Sequence, residues 1–360
     1  MFSAIATLPI IKAVNAAFLS LIFCINIIFF DDDRLIKAVT PAPVREDVYI
    51  AERNLLMDIY TPKDKKPRTK MLVIHGATEF GKQDARLIWI CDLLARLGFK
   101  LYVPNVRELM QWNMDTTGVD DIIYIYKRYL SSKDKIKKGM LSYSVGCTAM
   151  FIAASDDEIS SDVDYLISFG GYYDTKNILL FMTTRYYKED GEWKKYPNEK
   201  AISEIFLERN IYMVKEEERE TVYKIIEEGP KEELMNKLSE ETKSLVGMMH
   251  NRDKDNFYLL YDKISPSAKD TFESISPKNY LNKIKSDCYI AHSVPDFVIP
   301  HTESDLLVRD LGNNVKGYYK FRFFRHVERK FQDMTFKKVF CVYIPDAIKF
   351  YIFIYKMLML

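Results

Sequence analysis

The sequence contains no CxxC pair. Its five cysteines, at positions 24, 91, 147, 288 and 341, are scattered along 360 residues, which argues against a disulfide framework and against a zinc ribbon. No G-x-G-x-x-G and no P-loop follows any apolar run, so the usual glycine-rich phosphate cradles are missing. Charge of one sign is missing too: 52 Lys and Arg against 51 Asp and Glu leave a net charge of +1. Without a basic run there is no electrostatic footprint for nucleic acid. There is no internal repeat and no low-complexity stretch. Metal and cofactor sites are therefore not expected. What is present is 48% hydrophobic and 29% charged residues, the second figure close to a globular share of about 25%. Generic disorder, a collagen and a multi-pass membrane protein are excluded for the whole chain. The 24 Tyr and 22 Phe give apolar mass for a sizeable core.

The amino-terminal segment is a separate object. Ala13 to Phe30 reads AVNAAFLSLIFCINIIFF without a charge, and about 20 apolar residues span a bilayer core. A cleaved signal peptide ends in small residues; this run ends in Ile27-Ile28-Phe29-Phe30 and meets Asp31-Asp32-Asp33. Residues 1–30 are therefore read as an uncleaved membrane anchor, with a signal segment as the alternative. Lys12 lies before the run and three Asp after it, so positive-inside reasoning puts the bulk of the chain on the extracytoplasmic side. Residues 31–46, with two prolines in TPAPVR and no periodicity, read as a linker.

From residue 47 the chain alternates strand and helix patterns. DVYIAERNLLMDIY (47–60) suggests a hairpin. KMLVIHG, KLYVPNV, KKGMLSYSV and VDYLISFGG are short apolar runs that suit buried parallel strands, and ARLIWICDLLARLG, VDDIIYIYKRYLSS and GCTAMFIAAS are helical in spacing. Such βαβ units imply an α/β fold with a mostly parallel sheet and helices on both faces. From 175 to 285 no strand is expected: this stretch reads as a charged, amphipathic helical insertion. The sheet pattern then resumes with DCYIAHS and VKGYYKFRFF, and 330–360 reads as a C-terminal helix docked on the core. The expected divisions are 1–30, 31–46, 47–174, 175–285 and 286–360.

The candidate chemistry sits at strand ends. Ser142-Tyr143-Ser144-Val145-Gly146 follows a strand and opens a helix. A nucleophile elbow strains its central residue, so positions two before and two after must be small; here they are Ser142 and Gly146. A serine nucleophile needs a base. Of five histidines, His75 precedes the elbow, His250 falls in the insertion, and His292 and His301 crowd one strand end. His326 is late in the chain, at the edge of the last strand, with room for an acid upstream. Asp296, in the loop after DCYIAHS, can accept from an imidazole and stabilise its charged form; Asp174 is the rival acid. The backbone amides of Ala77 and Val145 are candidate donors to a developing oxyanion. His75 and Gly76 are expected to order that loop rather than react.

In these residues the chain resembles the α/β-hydrolase superfamily. His75-Gly76 ends one strand, Ser142 to Gly146 ends another, Pro295-Asp296-Phe297-Val298-Ile299-Pro300 precedes Glu303-Ser304, and His326-Val327 comes last. The family's order of serine, acid and histidine matches. The sequence departs from the family pattern at Ser142, where the elbow carries Gly, and at Ser293, where His-Gly opens the acid loop. The resemblance covers roughly residues 47–174 and 286–345, with the insertion at 175–285 in the place of a lid. It implies a serine hydrolase with a Ser144-His326-Asp296 triad, acting on a small-molecule acyl substrate, most simply a carboxylic ester. The alternative is a noncatalytic α/β-hydrolase-like protein, tethered to a membrane and binding a partner.

Overall fold

A computed structural model of the chain describes residues 2–30, 32–63, 66–132, 134–197, 203–329 and 335–360. Helix α1 (Phe2–Phe29) precedes strands β1 (Val44–Ile50), β2 (Leu55–Thr61) and β3 (Thr69–Ile74). Then come α2 (Ala85–Leu97), β4 (Phe99–Pro104), α3 (Thr117–Ile125), β5 (Lys138–Tyr143), α4 (Gly146–Ala154), β6 (Tyr165–Phe169) and α5 (Thr175–Thr184). After a short hairpin of β7 (Tyr186–Glu189) and β8 (Glu192–Lys195), helices α6 (Arg219–Glu228), α7 (Glu240–His250), α8 (Lys254–Lys263) and α9 (Pro266–Ser274) follow. The chain closes with β9 (Asp287–Ser293), α10 (Thr302–Leu311), β10 (Val315–Phe321) and α11 (Ile344–Met359).

Eight strands form one sheet in the order β1-β2-β4-β3-β5-β6-β9-β10. The pairs β1–β2 and β2–β4 are antiparallel; all the others are parallel. Apolar alternation explains the layers. In β3, Met71 and Val73 face one side, with α1, α2 and α11, while Leu72 and Ile74 face the other, with α3, α4 and α10. A strand buried on both faces reads as a continuous apolar run for this reason. Capping fixes the crossovers. The Asp84 carboxylate accepts the Arg86 amide at 2.9 Å to open α2, and Gly98 closes it at φ +108°.

The stretch between β6 and β9 has an apolar core of its own, including Phe206, Val222, Ile225, Met248 and Phe257. It is not strand-free, as the helical pattern led one to expect. Residues Asp190 and Gly191 both take positive φ and form a two-residue turn between β7 and β8. Asp-Gly is the dipeptide such hairpins favour, and the charged flanks YYKE and EWKK hide the strand alternation. The expected linker is also structured in part. Arg34–Val39 is a helical turn held by buried Ile36, and β1 already begins at Val44.

The Pro9–Phe29 part of α1 is long and apolar enough to cross a membrane, by length and composition. It is nevertheless not detached from the rest. Ala16, Leu19, Phe23 and Ile27 form a buried stripe at helical spacing. They pack with Phe350, Phe353 and Met357 of α11. The two helices run antiparallel, since Lys12 Nζ donates to the Met359 carbonyl at 3.3 Å and the Phe23 and Phe350 rings lie 6.2 Å apart.

One buried ion pair fastens the loop after β3. Lys82 Nζ lies 2.7 Å from Asp58 Oδ1, and both side chains are 1% exposed. Arg45 holds the other carboxylate oxygen at 2.6 Å. Breaking a buried pair outright typically costs about 3–5 kcal/mol; here Arg45 still holds Asp58 when Lys82 is lost, so the cost is smaller, about 1–3 kcal/mol. Lys82→Met is expected to lower the stability measured by urea unfolding by about that smaller amount. A loss within experimental error would remove this pair from the account of the loop.

Candidate active site

The site is built on the carboxyl ends of β3, β5, β9 and β10. Ser144 stands between β5 and α4 at φ +56°, a left-handed conformation that costs a non-glycine residue about 1–3 kcal/mol. Its amide donates to the Phe169 carbonyl at 2.9 Å, which helps hold the turn. The turn is also tight behind the serine. A Cβ on Gly146 would lie 2.1 Å from the His75 carbonyl oxygen and 2.7 Å from Ser142 Oγ, so glycine is required there. Ser142 fits because it is wholly buried and its hydroxyl donates to the Ile74 carbonyl at 2.9 Å.

The structure brings three of the expected residues together. His326 Nε2 lies 2.9 Å from Ser144 Oγ, and His326 Nδ1 lies 2.8 Å from Asp296 Oδ2. His326 turns out of the β10 end at φ +57°, at the tip of a short hairpin formed by 324–329. Asp296 is 3% exposed. Its Oδ2 also accepts from Ser293 Oγ at 2.9 Å, and its Oδ1 accepts the amides of Val298 and Ile299 at 2.8 and 3.0 Å. Burial works against the Asp296 charge. The His326 ring and hydrogen bonds from His292 and His326 outweigh it and hold the carboxyl far below the usual carboxylate range.

Three of the other histidines are engaged elsewhere, and the fourth, His292, stands against the acid. His75 is buried, with Nδ1 donating to the Gly76 carbonyl at 2.7 Å and Nε2 accepting the Val106 amide at 3.0 Å. Burial lowers its pKa, against the Gly76 carbonyl. His292 bonds Ser304 Oγ at 2.6 Å and the Ile299 carbonyl at 3.0 Å, and its Nε2 lies 3.4 Å from Asp296 Oδ2. His301 faces Glu189 at 2.8 Å, and His250 bonds the Val246 carbonyl at 3.0 Å. The rival acid, Asp174, caps α5 through the Lys176 amide and pairs with Lys278 at 3.0 Å. Among the described residues no protein acceptor takes the amide N–H of Ala77 or Val145, and both residues line the cavity in front of Ser144.

That cavity holds about 300 Å³ and its walls are mostly apolar. Ile178, Met182, Phe206 and Ile275 come from the stretch between β6 and β9, and Leu109, Trp112 and Met114 from the segment after β4. The second group was not legible as part of the site, since no motif marks it. Asn210 joins the two walls: it accepts the Met114 amide at 2.8 Å and donates to the Trp112 carbonyl at 3.2 Å. Glu303 anchors the start of α5. It accepts the amides of Tyr173 and Asp174, each at 3.0 Å, and Asn177 Nδ2 at 2.9 Å. Burial raises its pKa to about 7, against those donors.

Two outcomes test this account. Gly146→Ala forces its Cβ into the His75 carbonyl, so we expect a loss of about 1–3 kcal/mol in a thermal melt; an unchanged melt contradicts the tight elbow. Glu303 has a raised pKa, so the stability it contributes is full below its ordinary value of 4.5 and is lost as pH rises to about 7. Relative to wild type, Glu303→Gln should therefore gain in Tm across that window and stay level above it. A difference that does not vary with pH removes the proton on Glu303 from the account.

No family model and no curated protein matches the chain. Solved structures that resemble it include the Pyrococcus horikoshii acylaminoacyl peptidase, at 12% identity and a TM-score of 0.48, over 88% of this chain and 41% of that one. The chain thus spans less than half of that protein. A 2,6-dihydroxy-pseudo-oxynicotine hydrolase resembles it at 12% identity and a TM-score of 0.44, over 92% and 76% of the two chains. A Pyrococcus furiosus esterase does so at 12% identity and 0.42, over 87% and 90%. An eight-stranded, mostly parallel sheet in this strand order, with helices on both faces and a serine on the turn after its fifth strand, is an α/β-hydrolase-type fold.

Proposed function

We propose that the chain is a serine hydrolase that cleaves a carboxylic ester, or a related acyl bond, through an acyl-enzyme intermediate. The continuous relay from Ser144 Oγ through His326 to Asp296, at 2.9 and 2.8 Å, carries this reading. His326 Nε2 takes the proton as Oγ attacks the carbonyl carbon. Asp296 orients the ring and stabilises the imidazolium without itself taking the proton. The amides of Ala77 and Val145 donate to the oxyanion, where each such donor is worth about 100–1,000-fold in rate. His326 then protonates the leaving group, and water repeats the sequence on the acyl-enzyme.

The lining supports a substrate with an apolar acyl or leaving group. Residues 175–285 serve as a lid in this reading, since Ile178, Met182, Phe206 and Ile275 wall the cavity. The hydrolase core is then 47–174 with 286–360. Residues 1–30 attach it to a membrane through the exposed side of α1, at Ile10, Ile11, Val14, Phe18 and Leu21, since the other side is packed on α11; the extracytoplasmic placement expected from Lys12 and the three Asp requires a helix that crosses the bilayer free of the core.

A fluorophosphonate probe tests the reading directly. Wild type is expected to label on Ser144, and Ser144→Ala to lose the label. Equal labelling of Ser144→Ala, or an unlabelled wild type, overturns the nucleophile. Against a short-chain ester, Asp296→Asn should lower kcat by about 10⁴-fold with the fold intact by circular dichroism. Full activity in that variant removes Asp296 from the mechanism.

A further inference from the structure

A second cavity lies across the sheet from the first. It holds about 430 Å³ between α1, α2, α11 and the sheet. Its walls are almost wholly apolar: Phe23 and Ile27 from α1, Ile90 and Leu94 from α2, Phe353 and Ile354 from α11. Tyr143 and Val327 complete its inner end, and these are the chain neighbours of Ser144 and His326. Among the described residues the one charged lining residue is Arg86, at the rim, paired with Asp84 at 2.8 Å. Trp89 stands beside it, its indole N–H donating to Asp33 at 2.6 Å. Water gains few hydrogen bonds in such a space, and apolar cavities take apolar ligands.

The surroundings say which apolar ligand. One wall is α1, long and apolar enough to cross a membrane. Its outer side exposes Ile10, Ile11, Val14, Phe18 and Leu21. The neighbouring α11 exposes Ile348 and Ile352. Exposed apolar side chains on two packed helices suit an interaction face. The cavity therefore sits directly behind a surface of lipid character.

We propose that this cavity takes a hydrocarbon chain of a bilayer phospholipid, the chain lying between α1, α2 and α11 while the polar end stays at the rim near Arg86 and Trp89. The outer face of α1 and α11 rests on the membrane from which that lipid comes. The proposal does not rest on the hydrolytic reading, because no part of it uses the Ser144 hydroxyl.

The test uses the full chain bound to vesicles of phosphatidylcholine and phosphatidylglycerol, a trace of the phosphatidylcholine carrying a diazirine on one acyl chain. After irradiation, cross-links are expected on inward residues of 86–94, 324–327 and 350–357. Ile90→Trp and Ile354→Trp fill the cavity from opposite walls. Each should lower those cross-links about tenfold, the order seen when an apolar pocket loses room for a few methylenes, with unchanged circular dichroism. Ser144→Ala should cross-link like wild type, so a failure of the hydrolytic reading leaves this result intact. Cross-links confined to Ile10, Val14, Phe18, Ile348 and Ile352 in wild type would overturn the proposal whatever the variants do. Cavity labelling from a diazirine fatty acid in solution but not from vesicles would overturn the bilayer as the source.

Discussion

Both oxygens of one buried carboxylate are saturated, and the geometry of the site follows from that. Asp296 accepts from Ser293, His326, Val298 and Ile299. A carboxylate this deep cannot keep its charge without such partners. Each partner is therefore constrained in return. Two backbone amides fold the loop after β9 into a tight curl. The His326 ring is held by its Nδ1, which aims Nε2 at Ser144. The same loop offers its Phe297 carbonyl to Arg185 at 2.9 Å. The stretch between β6 and β9 is thereby tied to the loop that orients the histidine.

The elbow works by the opposite means, through close packing rather than charge. Gly146 leaves no room for a side chain against the His75 carbonyl, so the strand ends of β3 and β5 meet at van der Waals limits. His75 braces that contact by bonding the Gly76 carbonyl and the Val106 amide at once. The loop bearing the Ala77 amide is therefore positioned by a neutral, buried imidazole. In a low-dielectric site a fixed dipole is worth more than a mobile one.

Much of this was legible in the sequence. Parallel strands buried on both faces announce themselves as continuous apolar runs, and Ser144, Asp296 and His326 stand where such runs end. The two departures from the family's glycines, Ser142 and Ser293, looked like weaknesses on the page. In the structure each hydroxyl makes a buried hydrogen bond, one to the Ile74 carbonyl and one to Asp296 itself. No spacing rule conveys that, because it depends on which backbone carbonyl or carboxylate the fold brings within 3 Å. Trp112, Met114 and Asn210 were missed for a related reason. They meet across about 100 residues of chain, and nothing local distinguishes them. The β7–β8 hairpin was legible in Asp190-Gly191 but was masked by its charged flanks.

The pairing of α1 with α11 has a consequence for the order of events in synthesis. Lys12 and Met359 are 347 residues apart yet in contact. The chain emerges from its amino end at about 5–20 residues per second, so α1 waits on the order of tens of seconds for the helix that covers its buried stripe. During that interval Phe23 and Ile27 have neither α11 nor the finished sheet to lie against. A bilayer or a chaperone can then cover that stripe, and either competes with the native partner for the same face.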